Sequence, residues 1–146
     1  MSSLHIFATA KKKKMSLDKI LSITGKPGLY QLKNKAKSGF VVESLLDKKT
    51  SIVGINHNVS VLNDISIYTY SKEMPLKEVF KKIADKESNG PTINHKVGKK
   101  ELEAYFNEVL PDYDEERVYA SDIKKVIQWY NLLESNGLLS AIDEEE

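Results

Sequence analysis

The residues closest to a chemical motif are Gly25-Lys26-Pro27-Gly28. A phosphate-binding P-loop needs Gly-x-x-x-x-Gly-Lys-Ser/Thr, so that successive backbone N–H groups surround the phosphates and the lysine reaches them. Here the glycines are too close together and Pro27 removes a donor. Proline at the second and glycine at the third position of Lys26-Pro27-Gly28-Leu29 is instead the chemistry of a type II turn, with Lys26 available as a contact residue. His5, His57 and His95 are far apart and show no i, i+4 metal spacing; zinc normally takes three or four ligands. The chain has no cysteine, which excludes disulfides, thiolate metal sites and a thiol nucleophile. No Gly-x-Ser-x-Gly elbow occurs, and Asp112, Asp114, Glu115 and Glu116 read as a solvated loop. No catalytic residue, metal ligand or cofactor is therefore expected, and the chain reads as non-enzymatic.

Binding chemistry has more support. Lys33, Lys35 and Lys37 precede one turn, and Lys48 and Lys49 sit in the next. Where those turns share an end of the β module they form a cationic patch. Tyr30 and Phe40, if exposed, add the stacking surface that small barrels combine with charge to hold RNA. Against this, the module has no arginine, the residue that dominates planar bidentate recognition, and Asp18, Glu43, Asp47 and Asp64 offset much of its charge. Two helices separated by an acidic loop have the order of a helix-turn-helix, the second presenting Lys124, Lys125, Gln128 and Asn131. Phosphates would repel that loop, so DNA is disfavoured as a partner. Trp129 lies beside an apolar stripe; it packs on the β module or, if exposed, anchors a protein contact.

The elements that must position these residues follow two successive apolar periods. Ser16 can cap a helical turn over Leu17 to Leu21. Residues 29–35, 40–45, 50–53 and 65–70 then read as short strands at 8–12-residue spacing, with Val59 and Leu62 plugging one end from a helical turn. This predicts an α+β protein whose first part is a small SH3-like β-barrel or a bent antiparallel sheet. After Pro75, Leu76, Val79, Phe80 and Ile83 form a helical stripe. Residues 88–98 read as a linker. Helices follow over 99–110 and 121–136, the latter capped by Ser121 and stopped by Asn136-Gly137 with Leu138 folding back. The expected organisation is a disordered basic tail (1–14), a β module with its helix (15–87), the linker, a helical module (99–142) and an acidic tail (143–146).

Charge is segregated along the chain. Residues 1–100 carry 19 lysines against 8 acids, and residues 101–146 carry 13 acids against 3 basic residues. Opposite charges can hold the halves together or direct each to a different partner. No apolar run approaches the roughly 20 residues of a membrane helix. The first 14 residues lack signal-peptide order, since Lys11 to Lys14 follow the apolar run. The expected location is the cytoplasm.

The stretch from Leu17 to Leu139 is similar to an uncharacterised, Bacteroidetes-type family of short proteins. The likeness rests on Ser22-Ile23-Thr24-Gly25-Lys26-Pro27-Gly28-Leu29-Tyr30, on Gly39 to Leu45 and on Asp64 to Tyr70. It continues through Pro75 to Phe80, Tyr105-Phe106, Leu110 to Asp114, Ser121 to Val126 and Trp129-Tyr130. The resemblance implies a domain of unknown function and a chain start near Met15; it implies no activity and no site residues. The expectation is a non-catalytic binding or adaptor protein that engages RNA or a ribonucleoprotein through its basic β module, or serves as a protein–protein adaptor without a nucleic-acid role. The contact residues expected are Lys26, Lys33, Lys35, Lys37, Lys48, Lys49 and Trp129.

Overall fold

The structure is a computed structural model that describes residues 16–54, 56 and 58–143. The basic tail, His5, His57 and residues 144–146 lie outside the described residues. Among the described residues, seven strands precede three α-helices: β1 Ile20–Ile23, β2 Tyr30–Ala36, β3 Gly39–Ser44, β4 Thr50–Gly54, β5 Val59–Val61, β6 Ser66–Tyr68, β7 Glu73–Pro75, α1 Leu76–Lys86, α2 Lys99–Val109 and α3 Ala120–Ser135. Short 3-10 turns occupy Leu17–Lys19, Leu62–Asp64 and Leu139–Asp143. The fold is α+β, and none of these helices is long and apolar enough to cross a membrane.

Five strands form one antiparallel sheet in the order β4-β3-β2-β1-β5. This is the open sheet of the two alternatives: β4 and β5 remain edges, so the ring of a barrel is not closed. β6 and β7 form a separate hairpin. The strand expected over residues 65–70 is divided: its first part pairs with β7, while Thr69 bridges Tyr113 from the far loop. The expected helical turns are found in part: Leu17–Lys19 and Leu62–Asp64 are 3-10 turns, whereas Ile20 and Leu21 belong to β1 and Val59 to β5. Ile20 and Leu21 are both buried but enter different clusters on opposite faces. A strand buried on both sides gives an apolar run without alternation, which local periodicity cannot tell from a helical turn. β5 has only three residues, too few to display a period.

The sheet's two faces serve two cores. Leu21, Ile23, Tyr30, Val42 and Val53 pack together on one side, with Leu32 and Phe40 against them. Leu17, Ile20, Leu29, Leu45 and Leu62 join the helices in a much larger cluster around Phe80, Phe106 and Tyr130. Tyr30 is thus a core residue and offers no stacking face for a base.

α3 starts at Ala120, with Tyr119 in the cap position in place of Ser121. The Tyr119 N–H donates to Asp122 Oδ2 at 2.9 Å, which satisfies one of the free donors of the first turn. At the other end, Leu138 N–H donates to Leu133 O (2.8 Å) and Gly137 N–H to Glu134 O (3.1 Å), the paired bonds of a left-handed stop. The connection between α1 and α2 is tied to α3. Tyr130 Oη donates to Gly90 O (2.8 Å), Thr92 N–H to Asn131 Oδ1 (2.8 Å) and Asn131 Nδ2 to Ile93 O (2.9 Å).

Candidate functional site

The strand register separates the two lysine groups. Ala36 pairs with Gly39 to close the hairpin that carries Lys37, whereas Ser44, at the other end of β3, pairs with Tyr30 and donates its N–H to Lys49 O. The six residues of β3 lie between them, roughly 17 Å at strand rise. Lys33, Lys35 and Lys37 therefore do not share an end with Lys48 and Lys49, and the single cationic patch is not formed. Lys33 is paired with Glu43 at 3.3 Å. The Lys48 ammonium donates to Asn136 Oδ1 at the end of α3. Asn136 also donates to Leu45 O and Leu132 O, so Lys48 sits in a structural clamp between the β3–β4 turn and α3. Lys26, Lys35, Lys37 and Lys49 are exposed.

The end that carries Lys26 instead meets Trp129. The loop Thr24 to Gly28 folds over α3 and encloses a hollow of about 200 Å³ with Lys125, Gln128 and Trp129. The hydrogen bond that closes this loop, Lys26 N–H to Ile23 O (3.0 Å), lies one turn earlier than the expected Lys26–Leu29 turn. Gly28 has φ +74°, a conformation that favours glycine, and a Cβ there would stand 2.7 Å from Leu46 Cδ1, an exposed side chain that would have to move aside. That close approach seats the loop on the turn between β3 and β4.

A second hollow, of about 240 Å³, lies on the other side of Trp129. Ile65, Ser66, Ile67 and Tyr68 form one wall; Arg117, Val118, Asp122, Lys125, Val126 and Trp129 form the other. Lys125 and Trp129 line both hollows, making a stepped groove along the N-terminal half of α3. Trp129 itself is buried, at 8% exposure, and acts as the wall between the steps. Each hollow is smaller than the roughly 300–1,000 Å³ of small-molecule sites and suits one or two side chains.

Arg117 is fixed at the groove's rim. Its Nε donates to Asp114 Oδ2 at 2.8 Å and its guanidinium lies 4.1 Å from the centre of the Tyr68 ring. The hydrogen bond from Arg117 holds the Asp114 carboxyl below its ordinary range. Glu116 N–H donates to the same carboxylate, so the acidic loop is folded around Asp114. Tyr68, Tyr70 and Tyr119 are exposed around it.

Sequence reasoning missed Arg117 and Tyr68. Two signals were available: Arg117 is the sole arginine, set among acids, and Tyr68 and Tyr70 occupy the outer positions of an alternating strand. Of the helix-turn-helix residues, Asn131 is consumed by Thr92 and Ile93, so it cannot read a base. No three His, Asp or Glu side chains converge as a metal site among the described residues.

Two family models match in succession. One, described as Domain of unknown function (DUF5606), matches residues 17–62; the other, Domain of unknown function (DUF6852), matches residues 65–133. A solution NMR structure of a protein from Bacteroides vulgatus, from a structural-genomics consortium, is 46% identical, with a TM-score of 0.69. The alignment covers 83% of this chain and 87% of that one. No curated protein matches the chain. The hollow beside β6 is built wholly within the second matched region, and the hollow under the Lys26 loop joins it to the first.

Proposed function

We propose, from the premise that this chain belongs to the same Bacteroidetes-type family of short proteins with domains of unknown function as its Bacteroides vulgatus relative, that it is a non-catalytic, cytoplasmic adaptor that holds a segment of a protein partner. The observation that carries this reading is the stepped groove at the seam of the two matched regions. Its step beside β6 is walled mainly by apolar surface and its step under the Lys26 loop mainly by polar surface, and Lys26 and Lys125 have no ion-pair partner among the described residues. The small volumes favour side chains over a metabolite. The lack of cysteine suits a reducing compartment. A β1–β4 meander with β5 returning beside β1 supports an SH3-like reading of the first part, left open between its edge strands.

Affinity purification after nuclease treatment tests the adaptor. Recovery of one stoichiometric protein, lost in the Lys26→Glu/Lys125→Glu double variant, is expected. Equal recovery by the variant defeats the reading. RNA binding is the second reading, favoured by the exposure of Lys35 and Lys37 at the β2–β3 hairpin. It requires RNA retention that falls with salt and disappears on charge reversal at those two lysines.

A further inference from the structure

The geometry points to β6 as a receiving edge, onto which the partner adds an extended segment that alternates apolar and acidic residues. This rests on the adaptor reading and specifies its mode. In the β6–β7 ladder, Leu76 N–H donates to Ile65 O and Thr69 N–H to Lys72 O, both at 2.8 Å. Antiparallel pairing alternates, so Ile67 turns its backbone groups to β7 while Ser66 and Tyr68 turn theirs to the opposite edge. There Tyr68 O accepts from Asp114 N–H at 2.9 Å. The Ser66 N–H and C=O and the Tyr68 N–H have no partner among the described residues.

Four consecutive residues, Ile65 to Tyr68, line the 240 Å³ hollow although their side chains alternate, which places the strand edge-on to it. The chain itself shows that this edge accepts a strand, because Tyr113 already forms an antiparallel bridge with Thr69 just beyond it. A segment continuing that row would satisfy the free backbone groups and send alternate side chains towards Val126 and Trp129. Charge selects the remaining positions. Arg117 is engaged by Asp114 and Tyr68, and the Asp122 carboxylate, though it accepts from Tyr119 N–H, keeps its negative charge in the lining. Lys125 and, across the step, Lys26 outnumber Asp122 along the groove, so acids are favoured on the partner.

The test uses the full chain and a synthetic peptide, acetyl-Asp-Val-Glu-Ile-Glu-Val-Asp-amide, with amide exchange followed residue by residue. Binding is expected to slow exchange at Ser66 and Tyr68 by about tenfold or more. N-methylation of alternate peptide nitrogens, and lysine in place of the acids, should each abolish it. Ser66→Pro removes an N–H that the β7 ladder does not use, and an edge strand tolerates that loss; it should keep the fold and lose the peptide. Absence of peptide binding overturns the proposal. So does binding that leaves both amides in fast exchange, or that survives N-methylation or Ser66→Pro. If, in any of these cases, the nuclease-treated purification still yields a partner dependent on Lys26 and Lys125, strand addition fails while the adaptor stands.

Discussion

The two cores differ in how they are held. The helical core gathers side chains from α1, α2, α3 and the first sheet face, with Phe80, Phe106, Ile123 and Tyr130 fully buried. The cluster on the other sheet face contains five buried residues, and its strands end in two unpaired edges. The first region rests on many interlocked side chains; the second relies more on backbone register. The difference teaches that the groove lies where the thick core supplies a rigid helix wall and the β elements supply loops and a free edge. Loops and edges need such a support to hold their geometry.

Substitutions in each region should expose the contrast. Phe106→Ala removes a fully buried ring that meets Tyr113 edge-on at 5.0 Å, and about 3–5 kcal/mol of stability should be lost in urea unfolding. Gly39→Ala places a Cβ 1.9 Å from Val53 O, where no rotamer can relieve the clash because the obstacle is backbone. A loss of about 3 kcal/mol is expected, at the upper end of overpacking costs. Leu21→Ala in the small cluster should cost about 2 kcal/mol, the low end for its type, because neighbouring strands at an open face can partly collapse. Finding Leu21→Ala costlier than Phe106→Ala would reverse the ranking of the cores. Ile20 and Leu29 couple the sheet to the helical cluster, so Trp129 fluorescence and helical circular dichroism should unfold together in all three variants.

The smallest expected effect concerns acid. Burial, followed by Lys124 and Lys96, holds His95 below its ordinary 6.5, so the folded protein disfavours the protonated ring. Its contribution is intact above that value and is lost as pH falls through the lowered folded value. Stability measured from pH 7 to 5 should decline slightly, and His95→Gln should flatten the decline.

Much of this molecule was legible residue by residue. The stripe Leu76, Val79, Phe80 and Ile83 gave α1, Asn136-Gly137 gave the stop of α3, and turn chemistry marked the loop around Lys26. The turn's hydrogen bond moved because Gly25, also at positive φ, sits at the third position of Ile23–Lys26. β1 was hidden by burial on both faces, and the cap of α3 moved to Tyr119 because Asp122 could reach its N–H.

By itself the sequence determined the order of β-rich and helical parts, the charge segregation and the absence of thiol chemistry, because period, charge and residue type are local properties. The tertiary structure alone decided that Lys37 and Lys48 lie at opposite ends of β3, that Lys26 and Lys125 share the two sides of a groove, and that β6 keeps a free edge. Those facts depend on which strands pair and which surfaces meet across long sequence separations, and no local pattern encodes that choice.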